Sequence, residues 1–556
     1  MNNTITDLLI NCEKTGTAPA YTIQKKTYME KKKSIFAEPV PDKTEPVKYG
    51  TKGEDIIIVS DLHIASGKNY AGVYRGTENF FADEAFYRFL DYINNNGNPG
   101  KSLLIINGDI FDFLRITEYP GKVRRPRLSK RIKHFIKFDP LEKPAEIPRD
   151  LIIDQYKEWS DELKKIGINK THEELEKSVS KKEKIYGLQT DDYKTIFKLM
   201  LIKKGHPVFT DALGNWLEHG HKLIIVKGNH DLELYWTAVR NYLRLILAEN
   251  IKGRNSGIDL ENILTQTVLP NILFIDDSVE IDGELLIEHG HRYDKFCFVL
   301  DNPVLGGKSG QINIPFGSFF NRYLINKVEL FFPYLDNVRP SGNVLPMLIK
   351  ENFALALKVL FQHIPFMFRM LFTNFRYIKF MFQKTALFSL AIALPLGFLI
   401  YFNYPFIENL ISEIFSSQGK SGFNTMILNQ STNIAVLLLT YLLSRFAAWM
   451  QLEEPSSLDK YAEETYRDSN YRIITMGHTH NPGEYVFKNG KRFYNTGTWI
   501  PIIETSTAEV RKDKTYTFLH IVHNENGKLI PSEDGSLQRW NDDGGRPEPL
   551  ILIERK

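Results

Sequence analysis

The residues able to do chemistry in this chain are Asp, Asn and His placed just after short apolar runs. Asp61 and His63 follow Ile56-Ile57-Ile58-Val59, and Asp109 and Asp112 follow Leu103-Leu104-Ile105-Ile106. Asn229, His230 and Asp231 follow Leu223-Ile224-Ile225-Val226. His289 and His291 follow Leu285-Leu286-Ile287, and His478 and His480 follow Ile473-Ile474-Thr475-Met476. Carboxylate, imidazole and side-chain amide donors, with no thiolate among them, suit divalent cations of hard to borderline character. One such motif carries little weight, because Asp-x-His and His-x-His pairs arise by chance and commonly pack or face water. Five in order, each behind a similar apolar run, define a site.

The runs are apolar, the first of them wholly β-branched, and too short for helices, so they are expected to be buried strands. In extended backbone, residues two apart face the same way, which would point Asp61 with His63, and His478 with His480, to one side. Helical periodicity runs from Ala82 to Ile93 through Phe86, Phe89 and Leu90. It runs again over 205–221 through Phe209, Leu213, Trp216 and Leu217. Strand, helix, strand with polar groups at the strand C-termini is the pattern of an α/β sheet whose site lies at its carboxyl edge. Gly108 permits a tight exit from the second strand.

The motifs Asp61-x-His63, Gly108-Asp109-x-x-Asp112, Gly228-Asn229-His230-Asp231, His289-Gly290 and Gly477-His478-x-His480 resemble those of the calcineurin-like metallophosphoesterase superfamily. The resemblance covers about 51–113, 205–296 and 470–500, with Tyr494 to Trp499 similar to the family's closing strand. It implies a β-sandwich flanked by helices and a centre of two divalent cations, Mn²⁺ with Fe or Zn²⁺ as alternatives. One cation would take Asp61, His63, Asp109 and His480; the other would take Asp109, Asn229, His289 and His478. It also implies that His230, oriented by Asp112, protonates the leaving oxygen or stabilises the phosphoryl oxygens. Asp231, His291 and Arg292 are candidates for contact with substrate or for support behind the ligands. The chain departs from the family's protein phosphatases in having Phe113-Leu114 where they have Arg-Gly. It departs from the bacterial diacylglucosamine pyrophosphatases in having His230 where they have Arg and His291 where they have Asp.

At 556 residues two or three folded units are expected. The two cysteines, Cys12 and Cys297, exclude a disulfide scaffold and suit a reducing compartment. Residues 1–50 have no continuous apolar stretch and read as a basic, partly disordered arm. The catalytic domain is expected over 51–296 and 469–556, interrupted twice. The first interruption, about 114–204, is a charged helical insertion, with its remainder from Glu158 to Lys184 a solvent-facing hairpin. It opens with eight Lys or Arg and no acid between Lys122 and Lys137. There Arg124, Arg125, Arg127, Lys130 and Arg131 offer an anionic-lipid contact, at about 1 kcal/mol per basic residue beside such a membrane, against the plainer reading of a solvated face. The formal charge of +3 and the lack of a recognised nucleic-acid module give no reason to expect RNA or DNA.

The second interruption, 297–468, is crowded with Phe, Leu and Met, and Lys358, Arg369, Arg376 and Lys379 fall on one helical face, as in an interfacial helix. Two uncharged stretches, 385–407 and 421–444, are candidate bilayer crossings. Because His289 precedes this insertion and His478 follows it, the number of crossings must be even. Lys379, Lys384 and Arg445 at the outer ends place those ends, and the catalytic domain, on the cytoplasmic side of a membrane. A lid over the membrane surface is the alternative to a spanning hairpin. Beyond Trp499, Tyr516–His523 and Leu529-Ile530 are expected as edge strands, 542–549 as a loop and 550–553 as a last strand.

Together these features favour a membrane-associated hydrolase of a phosphomonoester, phosphodiester or pyrophosphate, acting on a lipid or lipid-linked substrate. A membrane-anchored phosphoprotein or nucleotide phosphatase, and a membrane-recruiting scaffold with weak activity, are the other readings. Oligomeric state is left open by the sequence.

Overall fold

The structure is a computed structural model and describes residues 45–69, 71–75, 77–97, 102–121, 147–294, 297–299, 303–305, 310–315, 317–318, 321–326, 338–339, 458–504, 509–532 and 537–551. The chain divides into two units, Met1–Pro340 with Glu454–Lys556 and Ser341–Glu453, and all described residues belong to the first. The described part is mixed α/β, with two large sheets and helices. The basic run from Lys122, the two candidate crossings and the interfacial stripe lie outside the described residues. Among the described residues, no helix is long and apolar enough to cross a membrane.

The sequence runs read as strands are strands. In chain order the first seven are β1 (Val47–Tyr49), β2 (Asp55–Val59), β3 (Ser102–Asn107), β4 (Lys222–Val226), β5 (Ile272–Ile275), β6 (Ser278–Ile281) and β7 (Leu285–Glu288). After the short β8 (Val338–Arg339) come β9 (Ile473–Met476), β10 (Gly483–Val486) and β11 (Arg492–Asn495). The last are β12 (Ile503–Glu504), β13 (Glu509–Val510), β14 (Thr517–His523), β15 (Leu529–Pro531), β16 (Gln538–Asn541) and β17 (Arg546–Pro549). One sheet runs β17-β16-β14-β2-β3-β4-β5, with β15 on β14; the second runs β1-β6-β7-β9-β11-β10; β13-β12-β8 form a third, small one. β2, β3 and β4 are parallel neighbours, and so are β7 and β9. All five motifs therefore leave parallel strands at their C-terminal ends.

Unbroken apolar runs fit strands covered on both faces. Ile56, Ile58, Leu103, Ile105, Ile224 and Val226 form one core with Val279, Ile281, Leu285, Ile287 and Ile473 of the second sheet. The alternate residues, Ile57, Val59, Leu104, Ile106, Leu223 and Ile225, pack with the helices on the opposite face. Those helices include α1 (Asp83–Asn96), α2 (Arg149–Lys165), α3 (Asp192–Gly205), α4 (Pro207–Glu218) and α5 (Thr237–Arg254). Phe86 and Phe89 of α1 meet Trp499 at ring separations of 5.0 and 5.2 Å, tying the first crossover helix to the C-terminal part of the chain. A further helix, α6 (Asp459–Tyr466), covers the outer face of the second sheet, with Leu458 and Ala462 buried against Ile474, Met476 and Phe493.

Three differences from the sequence expectations have physical causes. First, the stretch from Glu158 to Lys184, expected to face solvent, buries Trp159, Leu163 and Leu175 in the same core as Ile196, Leu199 and Ile202 of α3, and two lysines of α3 are buried in pairs, Lys194 with Glu183 at 2.7 Å and Lys198 with Glu233 at 3.1 Å. Second, 542–549 is not all loop, because β17 returns along β16, whose Trp540 is buried. Third, Leu550 and Ile551 are not in a strand. From the stretch assigned to the second insertion, Ser318 and Asn326 also reach the sheet loops, donating to Asn229 O (3.2 Å) and Leu114 O (2.7 Å).

The loop after β2 is held by a buried acid–imidazole chain. Glu78 accepts from the backbone N–H groups of Ala65 (3.1 Å), Gly67 (2.6 Å), Asn79 and Phe80 (both 3.0 Å). His206 links Glu78 (Nε2, 3.0 Å) to Asp83 on the first turn of α1 (Nδ1, 2.8 Å). Burial disfavours the imidazolium, but the two carboxylates outweigh it and raise His206 from 6.5 to about 9. The folded state therefore holds a proton that the unfolded chain releases. This contribution is complete below pH 6.5 and is lost as pH rises through about 9. Its full size is roughly 3 kcal/mol. We expect wild type to exceed His206→Gln in urea midpoint below pH 6.5, and this gap to close as the pH is taken above 9. A gap independent of pH would mean that His206 is held neutral.

Candidate metal centre

Three of the five strands, β2, β3 and β9, deliver their motifs through backbone turns of unusual hand. Asp61 (φ 54°), His63 (50°), Asp109 (53°), His478 (70°) and His480 (57°) are all left-handed. This corrects the expectation of extended backbone at these positions: Asp61 and His63 still come together, whereas His478 and His480 do not. Non-glycine residues in this region cost about 1–2 kcal/mol each, and such outliers concentrate where tertiary structure fixes a functional geometry. The surroundings that hold them are visible. His63 N donates to Asp109 O (2.8 Å), Trp499 N and Thr498 Oγ1 donate to Asp61 O (3.3 and 2.6 Å), and Gly477 N donates to His289 O (3.0 Å). Two glycines are required by close approach. A Cβ on Gly108 (φ 83°) would collide with the His289 ring, and one on Gly228 with the Asp109 carboxylate.

The turns send the two closing histidines apart. His480 joins Asp61 and His63, while His478 joins Asp109 and His289; within each group the ligand atoms lie within 4.8 Å of one another. His480 Nε2 is 3.3 Å from Asp61 Oδ1 and 2.9 Å from His63 Nε2. Asp109 stands between the groups, its Oδ2 3.0 Å from His289 Nε2 and 3.7 Å from His63 Nε2. Asn229 is buried, and its Oδ1 has no hydrogen-bond partner; the same is true of Asp61 Oδ1. Buried acceptors are rarely left unsatisfied. Two imidazole nitrogens facing each other, with carboxylate and amide oxygens lacking donors, form a donor set that fits divalent cations. These buried His/Asp clusters could hold metal ions.

Beside them His230 Nδ1 is 2.9 Å from Asp112 Oδ2, which fixes the tautomer with the proton on Nδ1 and leaves Nε2 open. Burial works against the charged form of His230, but the Asp112 and Asp109 carboxylates hold its pKa above the ordinary imidazole value. Asp112 is itself held well below the usual carboxylate range, since His230 and His63 overcome its burial. His230 N also donates to Asp109 Oδ1 (2.8 Å), so one loop both carries the dyad and orients the shared carboxylate.

The other sequence candidates are placed as follows. Asp231 is buried behind the site and accepts from Gly228 N (2.6 Å) and Ile110 N (2.9 Å), clipping two ligand loops together. Burial and the Asp109 carboxylate raise its pKa to about 7. The His291 ring lies 5.4 Å from that of His289. Arg292 Nε pairs with Glu288 Oε2 (3.2 Å), at the end of β7. Arg124, Arg125, Arg127, Lys130 and Arg131 lie outside the described residues. Sequence reasoning missed Asn107, whose carbonyl accepts from His289 Nδ1–H (2.8 Å) and so turns Nε2 toward Asp109. It also missed Glu78 and His206, which lie in no motif. A cavity of about 700 Å³ lined by Arg472, Lys491 and Pro531 sits at the opposite, N-terminal ends of β9 and β11 and takes no part in this arrangement.

Gly108→Ala is expected to displace the His289 ring and strain a left-handed backbone, at a cost of about 1–3 kcal/mol. Thermal unfolding and bound-metal analysis would measure it, with metal lost chiefly from the Asp109–His289–His478 side. An unchanged melting temperature would contradict the close approach.

Comparisons of the chain with known proteins found no matching family model, no matching curated protein and no matching solved structure.

Proposed function

We propose that the chain is a two-metal-dependent phosphoric ester hydrolase of the calcineurin-like metallophosphoesterase type, built on that family's helix-flanked β-sandwich. The observation that carries this reading is Asp109 standing between two buried donor groups, with the His230–Asp112 dyad 2.9 Å apart at their edge. Asp61, His63, Asp109 and His480 would hold one cation, and Asp109, Asn229, His289 and His478 the other, with Mn²⁺ favoured over Fe or Zn²⁺. Such a pair supplies a hydroxide at neutral pH and neutralises charge on the phosphoryl oxygens.

The chain's own groups do the rest. Asp112 accepts from the Nδ1–H of His230 and favours its protonated form, so Nε2–H is available to the leaving oxygen. Asn107 and Asp231 keep His289 and the loop bearing Asn229 in place. Support for a lipid-linked substrate and a cytoplasmic membrane location comes from the sequence alone. There the apolar insertion departs after His289 and returns before His478, and the basic run at 122–137 interrupts the same catalytic domain.

His230→Ala is expected to keep its metal and lower turnover of an aryl phosphate ester by about 10²–10³-fold, the usual cost of removing a group that acts on transition-state charge. Near-normal turnover would sink the role given to His230. Asp109→Asn is expected to lower the metal content per chain, read by elemental analysis, and to abolish Mn²⁺-dependent turnover. Full metal content in that variant would contradict the bridge.

A further inference from the structure

We propose a zinc site at the rim of this centre, formed by Asp294, Cys297 and His478 with His291 as the fourth donor, whose occupation inhibits the enzyme. The site stands on its own residues and shares only His478 with the centre proposed above; the inhibition rests on that hydrolase reading. After β7, Gly290 (φ 99°) turns the chain into a short 3₁₀ turn, His291–Tyr293. Cys297 N then bonds back to Asp294 O (2.9 Å). The turn brings a carboxylate and a thiol beside His478: Asp294 Oδ2 lies 3.3 Å from His478 Nε2, and ligand atoms of Asp294, Cys297 and His478 all fall within 4.8 Å of one another. Asp294 is 5% exposed. The neighbouring His291, whose ring is 6.5 Å from that of His478, has a buried Nδ1 with no hydrogen-bond partner.

One thiol, two imidazoles and a carboxylate are a tetrahedral zinc set. The inner donors are all nitrogen and oxygen, whereas the rim adds sulfur, which selects zinc over manganese. Binding forms a zinc–sulfur bond and releases the Cys297 thiol proton to solvent. A neutral imidazole has one nitrogen lone pair to give, its other nitrogen carrying the proton. When His478 gives its Nε2 lone pair to zinc it can no longer serve Asp109 and His289, so rim zinc removes a donor from the inner centre.

The test uses the full-length protein, loaded with Mn²⁺ and then titrated with Zn²⁺ against a chromophoric chelator. Wild type is expected to take up one more zinc per chain than Cys297→Ser or Asp294→Asn. Cobalt in place of zinc should give a thiolate-to-metal charge-transfer band that survives Cys12→Ser and vanishes in Cys297→Ser. Equal zinc uptake by wild type and both variants, or a cobalt band that persists without Cys297, overturns the proposal. If the hydrolase reading alone fails, Mn²⁺-dependent turnover is missing while the extra zinc and the cobalt band remain.

Discussion

Four carboxylates, those of Asp61, Asp109, Asp112 and Asp231, are each no more than 1% exposed and come together where the loops after three parallel strands meet. Burying one such charge is costly and burying several together is worse, because each raises the cost of ionising the next. The surroundings answer this in kind. Imidazoles from His63, His230, His289 and His480 approach the carboxylates, and the backbone N–H groups of His230, His478, Ile110 and Gly228 point at them. Most of the unusual conformation in the molecule follows from that convergence. Among the described residues, five of the seven non-glycine residues with positive φ are candidate ligands, turned so that donors and acceptors from both large sheets meet at one point.

The sequence made the strands legible because their apolar runs are covered on both faces and too short to be anything else. It made the candidate site legible as a set of residues, since Asp, Asn and His recur at the same place relative to those runs. It did not reveal how the residues divide. Spacing alone put His478 and His480 on one side, whereas left-handed turns send them to different groups. No local signal distinguishes these cases beyond the modest tolerance of Asp, Asn and His for that conformation.

Helix α3 was obscure for a related reason. Its lysines at 194, 198, 203 and 204 place most of it in the charged insertion of about 114–204, and nothing along the chain shows that Lys198 has Glu233 as a buried partner. Buried ion pairs invert the usual meaning of charge in a pattern. The same holds for Glu78, His206 and Asp83, whose importance to the loop after β2 comes from a side-chain chain between residues 128 positions apart at its widest.

The separation between His63 and His480 bears on how the molecule is made. These two rings touch although they lie 417 positions apart in the chain, and closing a loop of that length costs about 5 kcal/mol in chain entropy. During synthesis from the N-terminus, β2, β3 and β4 can pair long before β9 exists, so three of the five ligand-bearing edges wait incomplete while the rest of the polypeptide emerges. The carboxylates of Asp61 and Asp109 then lack the histidines from β9 that later surround them. Completion of the site therefore waits until β9 and the strands that pair with it have left the ribosome and docked.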